Sequence, residues 1–184
     1  MTSINPALGC RLPIPGECLI ESWEMHTDSF SWVIGPPALP WEDVEDVHHS
    51  TNQVSYYVLN GDIQPLQSGG MDDTIDVRDF GRILLWLGAN PKAADGGRYI
   101  ASTWVGRGQA VADILWKKAP ELVQGCEKGT PGKGYKKDYS AMEIHPRLDA
   151  SKIKKASGLE WIPYEESVVD TARAVVGLRD KSKI

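Results

Sequence analysis

Apolar positions recur along most of this chain at helical or strand spacing, and the breaks between them fall at residues that stop such elements. From Glu42 to Asn60 the positions Val44, Val47, Thr51, Val54 and Val58 form one stripe, which predicts an amphipathic helix stopped by Asn60-Gly61. A turn-rich stretch, Gln67-Ser68-Gly69-Gly70, then leads through the short apolar pair Thr74-Ile75 into Asp76-Val77-Arg78-Asp79. A helix follows to about Leu87, with Val77, Phe80, Ile83, Leu84 and Leu87 on its buried side, and Asn90-Pro91 ends it. Arg98 to Ser102, short and apolar-centred behind Gly96-Gly97, reads as a strand. Gln109 to Lys118 reads as a helix burying Val111, Ile114 and Leu115, closed by Pro120. Gly125 to Ser140 carries four glycines and Pro131 and is expected to be a mobile loop. Asp149 can cap a short helix stopped at Gly158. A last helix starts near Tyr164, its acidic first turn and later Arg173 suiting the helix dipole. Its buried stripe is Val168, Val169, Ala172 and Val175 or Val176.

The order is mixed α/β, mostly helices with a few short strands, and too few strands for a self-sufficient doubly wound sheet. No internal repeat, linker or low-complexity block interrupts it after Pro40. With 184 residues, 41% of them apolar and 24% charged, the chain has the composition of a soluble globular domain. A formal net charge of -5 argues against a nucleic-acid partner, which needs clustered Lys and Arg. The cluster Lys152, Lys154 and Lys155 reads as the solvated face of a short helix. The apolar run Ile83 to Leu87 is too short to cross a bilayer, and MTSINPALGC does not resemble a secretory leader, so no membrane association is expected. Three sparse cysteines, Cys10, Cys18 and Cys126, suit a reducing, cytoplasmic setting better than a disulfide framework. Cys10, Cys18 and His26 are conceivable zinc ligands, but without a short Cys-x-x-Cys clip no metal is expected.

Two strings near the start carry more. Ser3-Ile4-Asn5-Pro6-Ala7-Leu8 and Val33-Ile34-Gly35-Pro36-Pro37, joined, read SINPALVIGPP. Further on come His48-His49-Ser50-Thr51-Asn52-Gln53, Ile75-Asp76-Val77-Arg78-Asp79, Gly97-Arg98-Tyr99-Ile100, Lys118-Ala119-Pro120-Glu121-Leu122, Lys128-Gly129-Thr130-Pro131-Gly132 and Asp149-x-Ser151-Lys152. In order and spacing these strings resemble the second half of extended short-chain dehydrogenase/reductases, in the NAD-dependent epimerase/dehydratase superfamily. The likeness is greatest to fungal methylglyoxal/aldehyde (carbonyl) reductases and to plant dihydroflavonol and cinnamoyl-CoA reductases, and covers nearly all the chain except Gly9 to Trp32. It implies the C-terminal, substrate-binding portion of an extended Rossmann-type reductase, one partial domain over 1–184, with the dinucleotide-binding half absent. Residues 9–32, rich in Pro and Cys and splitting the joined motif, are then expected to be an insertion. A retained intron is its simplest source and an evolved loop the alternative.

The resemblance implies hydride transfer from NADPH to an aldehyde or ketone. It places Pro6 and Val33 beside the nicotinamide, and Thr51, at the family's Ser position, near the carboxamide or ribose. Taken alone, Pro6 is a strand-end residue, Val33 a core residue and Thr51 a helix residue bonding back to its own backbone. The family's acid is a Tyr whose pKa a Lys lowers, spaced Tyr-x-x-x-Lys. None of Tyr56, Tyr57, Tyr99, Tyr135, Tyr139 and Tyr164 is followed by Lys four positions on. A glycine-rich turn opening a βαβ unit is also missing, and Gly129 to Gly134 neither follows a strand nor ends in Lys-Ser/Thr. No catalytic residue is therefore assigned, and this chain alone is expected to bind no NADPH.

Asp76, Arg78 and Asp79 read as a helix cap and an ion pair anchoring a turn. His48 and His49, adjacent on a helix and pointing about 100° apart, are expected to be surface or interface residues that cannot share an ion. Three functions compete: an inactive, truncated form within a carbonyl-reductase lineage, a non-catalytic lobe that binds a partner or full-length paralogue, and a small binding domain with its pocket beneath the Gly125 to Ser140 loop, for which the sequence supplies no polar constellation. Exposed apolar faces, inviting self-association, would mark an orphaned half-domain.

Overall fold

A computed structural model of the chain describes residues 3–4, 31–37, 41–62, 73–94, 98–105, 108–140 and 148–181. In chain order the elements are β1 (Ser3–Ile4), β2 (Ser31–Ile34), α1 (Val44–His48), α2 (Gln53–Leu59), β3 (Asp73–Asp76), α3 (Val77–Ala89) and α4 (Pro91–Ala94). Then follow β4 (Tyr99–Ile100), β5 (Trp104–Val105), α5 (Gly108–Lys118), a 3-10 turn over Pro120–Val123, α6 (Ser151–Ser157) and α7 (Tyr164–Lys181). As expected, helices dominate and the strands are short.

A three-stranded sheet, ordered β2-β3-β5, separates two apolar cores. β2 runs parallel to β3 with Val33 opposite Ile75, and β5 closes the other edge antiparallel. Successive strand side chains point to opposite faces. Trp32 and Ile34 accordingly enter the larger core, built with α2, α5 and α7 around Val58, Ile114, Leu115 and Val175. Val33 and Ile75 face the smaller one, completed by Ile83, Leu87, Tyr99 and Ile153. β1 lies apart from this sheet, paired antiparallel with β4.

Four expectations need correction. The helix foreseen from Glu42 to Asn60 is two helices broken at 49–52, because Ser50, Thr51 and Asn52 spend their side chains on other backbone groups, as described below. The strand foreseen from Arg98 to Ser102 is paired only at Tyr99–Ile100. The chain then crosses between sheets, where the Ser102 hydroxyl donates to Asp73 Oδ1 (3.0 Å) and Thr103 N to Thr74 O (2.8 Å), and pairs again as β5, which the residue pattern did not indicate. Leu84 is 45% exposed rather than buried, since it lies about 100° around α3 from the fully buried Ile83. The loop from Gly125 to Ser140 is irregular but tied down. Asp113 on α5 accepts from Gly132 N (2.7 Å) and the Tyr135 hydroxyl (2.5 Å), while Gln109 accepts from Thr130 N and donates to Lys128 O.

The last two helices lie where the residue pattern puts them, although α6 takes Ala150 and not Asp149 as its N-cap residue. Ser151 N donates to the Asp149 carboxylate (2.8 Å), and Gly158, in the left-handed region at φ 67°, closes α6. Pro6 and Leu8, residues 9–30, and the Cys10, Cys18 and His26 grouping lie outside the described residues. Ser31 and Trp32, the end of the expected insertion, pair with Asp73 and Thr74, so β2 begins inside that boundary. Among the described residues no helix is long and apolar enough to cross a membrane.

Candidate functional site

β2 leaves the sheet at Ile34 and turns through Gly35-Pro36-Pro37. Gly35 sits at φ 121°, and a Cβ there would lie 3.0 Å from Val77 Cγ1 and 3.2 Å from Asp76 Oδ2. Only glycine passes this point without strain. Its N–H donates to Asn52 Oδ1 (3.2 Å), while the Thr51 hydroxyl donates to the Val33 carbonyl. One residue earlier, the Ser50 hydroxyl donates to Val47 O (2.8 Å) and accepts from Asn52 N (3.1 Å). These bonds interrupt the helix and fasten its broken turn to the end of β2. Thr51 thus bonds across to the strand, not to its own helix. Gly35→Ala is expected to cost about 1–3 kcal/mol in urea unfolding; an unchanged midpoint would show that the turn relaxes freely.

From below, the turn rests on Asp76. This buried carboxylate caps α3 by accepting from Arg78 N (2.8 Å), takes both Nε and Nη2 of Arg78 (2.9 Å each), and accepts from the Ser167 hydroxyl (2.6 Å). Arg78 Nη1 also reaches Asp170 (2.9 Å), so β3, α3 and α7 meet at one guanidinium. Burial alone would raise the Asp76 carboxyl, but the bonds from Arg78 and Ser167 overcome it and hold the group below its ordinary range. Asp79, also buried, accepts from Arg82 and from Ile162 N (2.9 Å), yet burial outweighs them and raises its carboxyl. The geometry is that of an anchor. Neither carboxylate lines the cleft above.

That cleft is open, about 530 Å³, and walled by Trp32, His48, His49, Ser50, Thr51, Gln53 and Tyr57. Of the expected cofactor-side residues, Thr51 stands on its wall and Val33 lies half-buried directly behind, held by Thr51. The structure brings these two together; Pro6 is outside the described residues. Trp32, Gln53 and Tyr57 were not singled out from the sequence. Trp32 was assigned to the insertion, although the apolar run Trp32-Val33-Ile34 ahead of Gly-Pro is itself a strand signal.

The two histidines sit at the surface, His49 exposed and His48 half-buried, and share a neighbour. Both meet Glu45 one turn earlier on α1, His48 Nδ1 at 3.2 Å and His49 Nε2 at 3.4 Å from the same carboxylate oxygen. The about 100° between neighbours matters less than their shared spacing, i+3 and i+4, from a third residue.

In the larger core Tyr135, Tyr139 and Tyr164 pack ring to ring in sequence, each pair tilted. Burial, reinforced by the Glu165 carboxylate it bonds, pushes Tyr139 up to about 12. Burial likewise raises Tyr135 and Tyr164. A proton donor tuned for neutral pH needs the opposite shift.

No protein-family model matches this chain, and no curated protein does. Solved structures do. Gre2 from Candida albicans superposes with a TM-score of 0.66 at 22% identity, over 81% of this chain and 43% of that one. Yeast methylglyoxal/isovaleraldehyde reductase Gre2, solved with NADPH, gives 0.59 at 24%, over 81% and 45%. A reductase engineered to attenuate substrate inhibition in asymmetric catalysis gives 0.61 at 26%, over 79% and 41%. The fold is that of the C-terminal part of a Gre2-like reductase. The chain spans less than half the length of each of these three structures. The order of strings that resembled fungal carbonyl reductases is thus matched by a shared fold.

Proposed function

We propose that the chain belongs to the lineage of NADPH-dependent carbonyl reductases, which turn an aldehyde or ketone into an alcohol, and that the Val33–Thr51 corner is its nicotinamide edge, with Pro6 beside it. The carrying observation is the Thr51 hydroxyl on the Val33 carbonyl beside the Gly35-Pro36 turn, at the mouth of the open cleft. Yeast Gre2, which shares the fold, is solved with NADPH. The cleft offers hydrogen-bonding groups and an aromatic wall suited to a carboxamide and ribose. Among the described residues that line it there is no phosphate cradle.

The polypeptide of these 184 residues is expected to be silent by itself. It carries no Tyr-x-x-x-Lys pair, and its clustered tyrosines shift away from neutral. Mixed with NADPH and a broad panel of aldehydes and ketones, it should consume no cofactor above background. Turnover abolished by replacing one residue of this chain would overturn that. The second reading, a non-catalytic lobe that binds a partner or a full-length paralogue, is favoured by Leu84 and Leu85, 45% and 75% exposed side by side on α3. Sedimentation of the same sample, alone and with a full-length reductase, separates the two readings: a stable complex without turnover supports the second.

A further inference from the structure

We propose that Glu45, His48 and His49 form a binding site for a divalent transition-metal ion of the zinc class on the rim of the cleft. The site stands on α1 and its C-cap residue, His49, and does not depend on the reductase reading. One ligand atom from each of the three residues can be chosen so that all lie within 4.8 Å of one another. Zinc bonds to nitrogen and carboxylate oxygen are about 2.0–2.2 Å, so neighbouring ligands of a tetrahedral ion stand roughly 3.3–3.5 Å apart. The two edges that meet at Glu45 are 3.2 and 3.4 Å. An ion seated there needs the two imidazole ligand atoms, which lie within 4.8 Å of each other, to close on it.

The donor set fits the same class. Two imidazoles and one carboxylate suit zinc and its neighbours better than calcium or magnesium, which prefer oxygen alone. Metal-ligating histidines commonly have their second nitrogen fixed by a hydrogen bond. His48 Nε2 stands 3.0 Å from the Tyr57 hydroxyl, and when Nδ1 holds the ion, Nε2–H donates to that oxygen. Tyr57 is placed by α2 and packs against the larger core. α1, though short, is held at its start by a capping box in which Asp43 accepts from Glu45 N and Asp46 from Asp43 N. Among the described residues Glu45 pairs with no Lys or Arg. Both imidazoles line the open cleft, so the remaining coordination positions are within reach of solvent or a small ligand there.

The test uses the whole chain, stripped with a chelator and titrated with zinc chloride alone against a metallochromic competitor. A single tight equivalent is expected. His49→Ala and Glu45→Gln should each weaken it at least tenfold, and Tyr57→Phe, which keeps the ring but not the hydroxyl, by roughly tenfold. His49 is exposed and Glu45 solvent-facing, so both variants should retain the parent's circular dichroism. The chain holds other possible ligands, Cys10, Cys18, Cys126, His26 and His145. Zinc bound with unchanged affinity by the Glu45→Gln, His49→Ala double variant therefore lies elsewhere and overturns the assignment, as does failure of the parent to take zinc from the competitor.

Discussion

Asp76→Ala is expected to remove about 3 kcal/mol of folding stability. Breaking a buried ion pair costs about 3–5 kcal/mol, because the surviving charge loses its partner. The low end applies since Arg78 is 36% exposed and keeps Asp170. The loss has a pH signature. The folded Asp76 carboxyl titrates below its ordinary 3.8, so its contribution is present above that value and disappears as pH falls through the lower folded one. Asp79 works the other way. Its folded carboxyl is raised, so its contribution is present below 3.8 and is lost as pH rises through the raised value. The parent should therefore weaken on acidification below about pH 4, and Asp76→Ala should both lower the urea midpoint at neutral pH and flatten the acid limb. An acid limb as steep in the variant as in the parent would mean that other carboxylates carry it.

The sequence made this network partly legible. Asp-x-Arg at a strand-to-helix junction announces a cap with a nearby cation, but the third and fourth partners, Ser167 and Asp170, come from 91 and 92 residues along the chain and have no local signature. The same limit explains the broken helix. A stripe through Val47, Val54 and Val58 reads as continuous because periodicity records burial, and all three are buried. It does not record that Thr51 and Asn52 find an acceptor on β2 and a donor on the turn after it, 18 and 17 residues away. At the cleft, family likeness singled out Val33 and Thr51, which do adjoin. It passed over Trp32 and Tyr57, whose place depends on strand pairing and on packing between two helices. Glu45 and the histidines fall in one turn of helix, and their proximity was available from spacing once the preceding turn was included.

Leu115→Ala should have the other large effect, about 2–5 kcal/mol, set by the lost methyl groups and by how far the cavity can close. Leu115 is fully buried on α5, which packs against α2 and α7 in the larger core. Domains of ordinary stability hold about 5–15 kcal/mol, so this one truncation should shift the urea midpoint by a large fraction. Leu85→Ala supplies the contrast. Leu85 is 75% exposed on α3, and truncating an exposed side chain changes stability by no more than about 0.5 kcal/mol. The pair of measurements therefore reads two properties at once: the first reports the core that holds β2 and the broken turn in place, the second whether α3 meets water. A Leu85→Ala loss comparable to that at Leu115, growing with protein concentration, would show that association covers α3, and would move the balance from a silent reductase lobe to one that works through a partner.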